Sequence, residues 1–209
     1  LNAGLGYRHY SSPVQSTTVA DLATANFSPV VNPAYNTVGN TVTPFPTVFG
    51  FDEARITSTS AATQSFDNGY FSPASLSTPL TVGRGYTVNL AASEKVDLVG
   101  ALNSGTVAVG TLTRGAEANS GWQLLGNPYP APLDWSKARQ SLPAGVIDAV
   151  YVYKSSNQYD GSYQFYQNGF GTLPGGLIGS MQGFFVRVSQ PVAAFSFLNA
   201  WRATDYQNP

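Results

Sequence analysis

Short runs in which apolar and polar residues alternate recur along most of the chain. A period of two is typical of antiparallel strands with one buried face. In VYVYK (150–154) and YQFYQ (163–167), aromatic rings also lie two residues apart, on one face of each predicted strand. The pattern predicts strands near 6–10, 47–51, 55–59, 85–90, 96–102, 106–112, 121–125, 147–154, 162–167, 183–189 and 192–198.

Helix signals are few, because Gly, Pro or β-branched residues interrupt almost every candidate window. Two short helices are predicted, at 19–25 and at 135–140, and Asp134 is a suitable N-cap for the second. Two hairpin connections are predicted, at SSNQYDG (155–161) and at Asn168-Gly169.

Similar segments occur in the same order in two parts of the chain, which predicts an internal duplication. GY followed by SP in 6–13 matches GW followed by NP in 121–128, and NGY 68–70 matches NGF 168–170. GYTVNL 85–90 matches GFFVRV 183–188, and GALN 100–103 matches SFLN 196–199. The repeat halves are 6–103 and 121–199. The linker is 104–120, and whether it adds a strand is left open.

These patterns together predict an all-β fold. We expect an antiparallel, jelly-roll-like β-sandwich built from the two similar halves, with one or two short helices. We expect 1–209 to form a single sandwich unit. Two small abutting β-domains are the alternative.

The composition is typical of an extracellular β-protein. Charged residues make up 10% of the chain, against about 25% in most soluble domains. A net charge of -1 with dispersed Lys and Arg argues against nucleic acid and anionic membranes as partners. No run approaches the ~18 apolar residues of a membrane span. The absence of cysteine excludes disulfides, thiolate metal sites and cysteine nucleophiles.

Catalytic patterns are weak. His9 is the only histidine and lies in a strand-like run with no nucleophile motif nearby, so we interpret it as a partly buried strand residue. Eleven acids are spread without a spacing that favours a glycosidase pair. Asn157 with Asp160 is the nearest approach to a calcium loop, but a hairpin loop is the simpler interpretation. We therefore predict a non-enzyme with no cofactor or metal.

Aromatic residues offer the strongest candidate for binding. Exposed rings can stack on sugar faces while amides and carboxylates bond to hydroxyls. We expect Tyr159, in a polar loop, to be exposed, and Trp122 to lie in the core. Tyr129 stands between two prolines and is the ring of its segment that remains open to display. The candidate ligand-binding residues are Tyr129, Tyr159, Asn157 and Asp160.

The segment GWQLLGNPYPAPLDW (121–135) carries a family resemblance. It is similar to the G-W-x-L-x-G-N-P-Y-P-x-x-(I/L)-D-W signature of large surface and secreted proteins of Bacteroidota, in the region before their type IX secretion sorting domain. Further segments resemble that region in order: GYRHYSSPVQSTTVADL, VFGFDEA, GRGYTVNL, MQGFFVRV and NAWRATD. The resemblance covers about 6–205.

The resemblance implies export to the cell surface or beyond it, and it implies no activity and no catalytic residues. We expect the chain to be a mature protein or an excised piece. The function we favour is a non-catalytic extracellular structural or adhesive module that assembles with copies of itself or with other surface proteins into a layer or fibre. A carbohydrate-binding module that takes polysaccharide on exposed aromatics is the alternative. The proline-rich segment itself is interpreted as a structural corner.

Overall fold

Strands dominate the structure, a computed structural model that describes residues 5–56, 66–91 and 93–204. The described residues form thirteen strands, all paired antiparallel, which confirms the predicted all-β, sandwich-like class. The strands are β1 (Leu5–Tyr10), β2 (Val48–Phe51), β3 (Tyr70–Phe71), β4 (Tyr86–Ala91), β5 (Val107–Leu112), β6 (Trp122–Gly126), β7 (Leu133–Asp134), β8 (Val146–Ser155), β9 (Gly161–Gln167), β10 (Phe170–Gly171), β11 (Leu177–Ile178), β12 (Gly183–Val188) and β13 (Val192–Phe197).

Helices in the described residues are short. They are α1 (Tyr35–Val38), α2 (Trp135–Ala138) and 3-10 turns at Val19–Leu22, Gly39–Thr41, Glu53–Arg55, Arg139–Ser141, Pro174–Gly176 and Asn199–Trp201. Both predicted helices exist in shortened form. The predicted N-cap is confirmed, because Asp134 Oδ1 accepts hydrogen bonds from the amides of Ser136 at 2.9 Å and Lys137 at 3.3 Å.

Each predicted half supplies one main sheet. The first sheet has the order β1-β4-β2-β3, and the second has the order β10-β9-β8-β12-β6. The linker does contribute a strand, β5, which pairs with β13. The short strands β7 and β11 of the second half pair with each other. The hairpin loop at 155–161 joins β8 to β9 as predicted. Asn168 and Gly169 both have positive φ in the two-residue turn between β9 and β10, as a primed hairpin turn requires.

Two predicted strands are wrong or only partly described. The segment 96–102 forms no ladder, because it runs over the surface with Val99 82% exposed, and only Leu102 makes an isolated bridge, to Val14. Of the predicted strand 55–59, Arg55 ends a 3-10 turn, and 57–59 lie outside the described residues.

The two sheets repeat one pairing register. Tyr7 lies opposite Asn89 between β1 and β4, and Trp122 lies opposite Arg187 between β6 and β12. These are the positions that the similar sequence segments bring into correspondence. β2 also corresponds to β8, because each is the third strand of its sheet when the strands are counted from β1 or from β6.

Two of the four matched pairs do not correspond in space. GALN 100–103 lies in no strand, whereas SFLN 196–199 includes the end of β13. Tyr70 in β3 lies opposite Phe51 in β2, and the residue in the same place in the second sheet is Tyr163, opposite Tyr153. Phe170 instead begins β10, a further strand at the edge of the second sheet. The NGY and NGF segments are therefore similar in sequence but lie in different places. The division of 1–209 into one unit or two stays a prediction.

Alternation along the strands gives the central strands of each sheet two buried faces. The outer face of the first sheet packs Val48, Val88 and Leu90 against Leu22 and Leu80. The outer face of the second sheet packs on a larger apolar cluster that is covered by β5, β13 and α2. Its members include Leu125, Trp135, Val150, Phe184, Val186, Phe195, Phe197 and Trp201.

The inner faces of the two sheets meet through rings, and we call this contact the aromatic interface. His9 of β1 stacks on Tyr153 with 5.4 Å between ring centroids and meets the edge of Phe185 at 5.5 Å. Phe51 of β2 meets Phe185 at 5.0 Å. Offset and edge-to-face pairs of this kind stabilise packing by about 0.5–1.5 kcal/mol each beyond the buried area.

Backbone contacts across the interface are reciprocal. The Gly126 amide donates to Gly83 O at 3.0 Å, and the Ser11 amide donates to Met181 O at 2.9 Å. Gly83 and Met181 occupy corresponding places before β4 and β12, and both have positive φ, at 82° and 61°. A methionine in this conformation is uncommon. The two sheets thus meet as the two sides of an approximate twofold contact.

The proline-rich segment forms a buried corner. Asn127 Oδ1 accepts from the Tyr129 amide at 3.0 Å, and in the first half Ser12 Oγ accepts from the Val14 amide at 3.3 Å, so the same i to i+2 turn closes both corners. Asn103 Nδ2 donates to Ser12 O and to Pro128 O, which joins the two corners. The prediction of a structural corner agrees with this arrangement.

Candidate functional site

A cleft of about 620 Å³ opens at one side of the aromatic interface, and both halves of the chain line it. This volume lies within the range of about 300–1,000 Å³ that is usual for small-molecule sites. Most of its lining consists of aromatic rings, with a few polar side chains between them. This cleft is the candidate binding site.

The first half supplies one wall of the cleft. Tyr35 of α1 meets Phe49 of β2 at 5.1 Å and Phe45 at 5.7 Å, both edge-on, and Tyr7 of β1 meets Phe49 at 6.3 Å. Phe49 is buried, whereas Phe45 is 40% exposed. The buried ring fixes the wall, and its neighbours present ring surface to the cleft.

The second half supplies the opposite wall. Tyr153 and Tyr163, opposite each other in β8 and β9, meet at 5.2 Å. Tyr159 lines the cleft from the β8–β9 loop with 71% of its side chain exposed. The prediction that this ring is displayed is confirmed.

The loop holds Tyr159 through its own polar residues. Asn157 Oδ1 accepts from the amides of Tyr159 at 3.0 Å and Asp160 at 2.8 Å, and Asn157 Nδ2 donates to Asp160 Oδ2 at 2.7 Å. These groups of Asn157 and Asp160 therefore form hydrogen bonds within the loop rather than in the cleft. Neither residue is among those that line the cleft, and we interpret both as positioning Tyr159.

Tyr129 is the one candidate residue that the structure moves elsewhere. Its side chain is fully buried, and its hydroxyl donates to Gly105 O at 2.7 Å and Phe197 O at 3.1 Å. Burial raises the pKa of Tyr129 to about 12. The expectation of display is wrong, because the turn at Asn127 directs the ring into the core of the second half.

Polar groups at the floor of the cleft have unfilled hydrogen-bonding capacity. His9 is 9% exposed, and its Nδ1 has no hydrogen-bond partner among the described residues; the same holds for Asn89 Oδ1. Burial lowers the pKa of His9 to about 3, so the imidazole is neutral at pH 7. The interpretation of His9 as a strand residue is confirmed, and its side chain is more fully buried than the partial burial we expected. His9 is nevertheless one of the residues that line the cleft, although Nδ1 itself is buried.

The tyrosine hydroxyls of the cleft remain protonated at neutral pH. Burial raises the pKa of Tyr7, Tyr35 and Tyr153, and it raises that of Tyr163 further. A phenol that keeps its proton can both donate and accept a hydrogen bond. The cleft thus combines ring faces with neutral hydroxyl, amide and imidazole groups.

A second place at the interface corresponds to the cleft, and there the space is filled. Tyr159 precedes Tyr163 by four residues, and Phe66 precedes Tyr70, the counterpart of Tyr163, by four. The Phe66 ring packs on Trp122 at 6.0 Å and on Phe185 at 5.3 Å. Tyr159 instead stays exposed, which leaves its side of the interface open.

Trp122 lies beside the filled place and is half-buried rather than in the core as predicted. Its ring meets Tyr151 at 5.3 Å, and the Arg187 guanidinium lies 5.4 Å from the ring centroid. The first-half rings of the cleft were not among the predicted site residues. The sequence signal that could have identified them is a spacing of two residues, between Tyr7 and His9 and between Phe49 and Phe51, which places each pair on one face of a strand.

No protein-family model, curated protein or solved structure matches the chain. The resemblance to Bacteroidota surface proteins stays a prediction. Within residues 5–56, 66–91 and 93–204, no group of three or more His, Cys, Asp or Glu side chains is placed to hold a metal ion. In the same residues, no helix has the length and apolarity needed to cross a bilayer.

Proposed function

We propose that the chain is a non-catalytic, extracellular adhesive module that binds carbohydrate in the aromatic cleft. The observation that carries the proposal is the exposed Tyr159 ring in a cleft lined by aromatic rings and a few uncharged polar side chains. Sugars present apolar ring faces and hydroxyl groups together. A site with aromatic surface and a few placed polar groups suits both.

The acids around the cleft support the non-catalytic part of the proposal. Asp67 is the one carboxylate among the described residues that line the cleft. Glycosidases of the usual kind need a pair of carboxyl groups on either side of the scissile bond. His9 is neutral and packs between the rings of Tyr153 and Phe185. Neither of these contacts is a residue that could serve as the nucleophile of a catalytic triad.

Affinity electrophoresis tests the proposal. Native gels that contain a soluble β-glucan, xylan or galactomannan should retard the protein. Tyr159→Ala should weaken retardation at least tenfold, about 1.4 kcal/mol of binding free energy. Phe170→Ala is the matched control, because Phe170 is 80% exposed and does not line the cleft. A folded protein that binds nothing on a broad glycan array would refute the proposal.

Self-assembly is a second candidate function, favoured by one observation. β10 ends the second sheet, and its Phe170 side chain is largely exposed. Exposed strand edges can pair between chains. We infer that copies of the chain join at β10 in a layer or fibre. Phe170→Lys should abolish assembly, whereas Leu76→Lys, at another exposed position, should not; a protein that stays monomeric at high concentration argues against this function.

A further inference from the structure

The charges around the cleft are strongly one-sided. No lysine or arginine is among the described residues that line it, and its acid, Asp67, is exposed. An anionic ligand would therefore find no counterion in the cleft. Its own charge would instead stand beside a carboxylate.

Arg55 is a cation close to the cleft, and its guanidinium is bound to the backbone. It lines a neighbouring hollow of about 550 Å³ that shares Asp67 with the cleft. Its Nη2 donates to Asn36 O at 2.9 Å, and its Nε donates to Asn68 O at 3.2 Å. The guanidinium is therefore engaged with the backbone of the first half.

His9 cannot supply the missing positive charge. The imidazole is stacked between rings of the second sheet, and protonating it would bury a charge without a partner. At neutral pH the imidazole is uncharged, so His9 brings no charge to the cleft. Asn89 also lines the cleft and is uncharged.

We propose that the cleft selects uncharged sugar residues and excludes uronate and sulfated ones. This inference rests on the carbohydrate-binding function proposed above and specifies its ligand class. Sugar hydroxyls both donate and accept, so they can pair with the tyrosine hydroxyls and with the Asn40 amide of the lining. A carboxylate or sulfate would lose hydration on entry and gain no cation in return.

A quaternary ammonium ion is the competing ligand class, because aromatic cages attract cations and Asp67 adds a negative charge. Two observations favour sugar. A quaternary ammonium ion has no hydrogen-bond donor or acceptor for the tyrosine hydroxyls and the Asn40 amide of the lining, whereas sugar hydroxyls supply both. The volume of about 620 Å³ also suits a larger ligand than a single ammonium group.

Retardation gels with neutral xylan, polygalacturonate and a sulfated galactan, at one ionic strength, test this selectivity. The wild type should be retarded by the neutral glycan alone. Asn40→Lys places a cation on the cleft wall and should produce retardation by polygalacturonate of at least threefold over wild type. Ser77→Lys adds the same charge at an exposed position outside the lining and should not.

The outcomes separate the two proposals. Retardation of the wild type by polygalacturonate as strong as by xylan, or an Asn40→Lys variant no different from Ser77→Lys, overturns the selectivity alone. Choline that binds while no glycan does overturns both the selectivity and the proposed function. A folded protein that no glycan retards refutes the proposed function, and the selectivity falls with it.

Discussion

Gly85 and Gly183 lie at corresponding places at the start of β4 and β12, and each packs against the first strand of the opposite sheet. A Cβ built on Gly85 would stand 2.6 Å from Leu125 O, and one on Gly183 would stand 2.9 Å from His9 Cβ. His9 and Leu124, which also crowds Gly85, correspond in the shared register. The close approach of the two sheets therefore depends on a glycine from each.

Alanine at either glycine should force the sheets apart. We expect Gly85→Ala to lower the free energy of unfolding by about 3 kcal/mol, because a backbone carbonyl must move, and Gly183→Ala by about 1–2 kcal/mol. Denaturant unfolding measures both. Gly105→Ala is the comparison for backbone strain alone, since nothing lies within 4 Å of its Cβ. A Gly85→Ala loss no larger than that of Gly105→Ala would contradict the close contact.

The buried hydroxyl of Tyr129 should matter more than the exposed one of Tyr159. Tyr129→Phe leaves the carbonyls of Gly105 and Phe197 without this donor, so we expect a loss of about 1–3 kcal/mol in unfolding free energy. Tyr159→Phe should change stability by less than about 0.5 kcal/mol. Equal losses in the two variants, measured by urea denaturation, would count against the buried placement.

Glu53 should fasten the linker to the first half. It is buried, and its Oε1 accepts from the amides of Gly115 at 2.7 Å and Gly121 at 3.0 Å. Burial alone raises the pKa of Glu53, but these hydrogen bonds outweigh it and hold the pKa below its ordinary 4.5. Glu53→Gln should cost about 1–3 kcal/mol at pH 7, because hydrogen bonds to a charged group are the stronger ones.

The pH dependence gives this prediction its check. A carboxylate with a lowered folded-state pKa stabilises the protein above pH 4.5, and the contribution is lost as the pH falls through the folded-state pKa. The stability gap between wild type and Glu53→Gln should therefore narrow below pH 4.5. A gap that stays constant down to acid unfolding would show that the charge is not responsible.

His9 should destabilise the protein in mild acid. Its folded-state pKa of about 3 lies below the ordinary 6.5, so between these values the unfolded chain takes up a proton that the folded one refuses. The unfolding free energy should fall as the pH is lowered from 6.5, by up to about 1.4 kcal/mol per pH unit. His9→Phe keeps a ring between Tyr153 and Phe185 and should remove this slope between pH 6.5 and 4.5. An unchanged slope would refute the buried neutral state.

Strand alternation and the repeated segments predicted most of the fold, because both depend on local sequence. GYTVNL and GFFVRV form β4 and β12, and their partners keep one register. The segment 96–102 is at least as apolar, but it makes only an isolated bridge to Val14 and no ladder, and composition alone cannot show that. Register and strand order need the partner as well as the strand.

The site was harder to predict because its residues come from distant segments. Tyr159 was identified from its polar loop, whereas Tyr35 and Phe49 become part of the cleft only when the sheets pack. Flanking prolines suggested that Tyr129 is displayed, yet the side to which a turn directs its ring depends on hydrogen bonds such as those of Asn127. A sequence pattern does not record that direction.

Joining both sheets in one polypeptide has a consequence for the approximate twofold contact. In a dimer of two identical subunits, the two places related by the twofold axis would carry the same residue. A substitution at one place would therefore also occur at the other. Here Phe66 fills one of the two places, and Tyr159 leaves the corresponding place open. A single covalent chain can thus keep one side for cohesion and give the other to recognition.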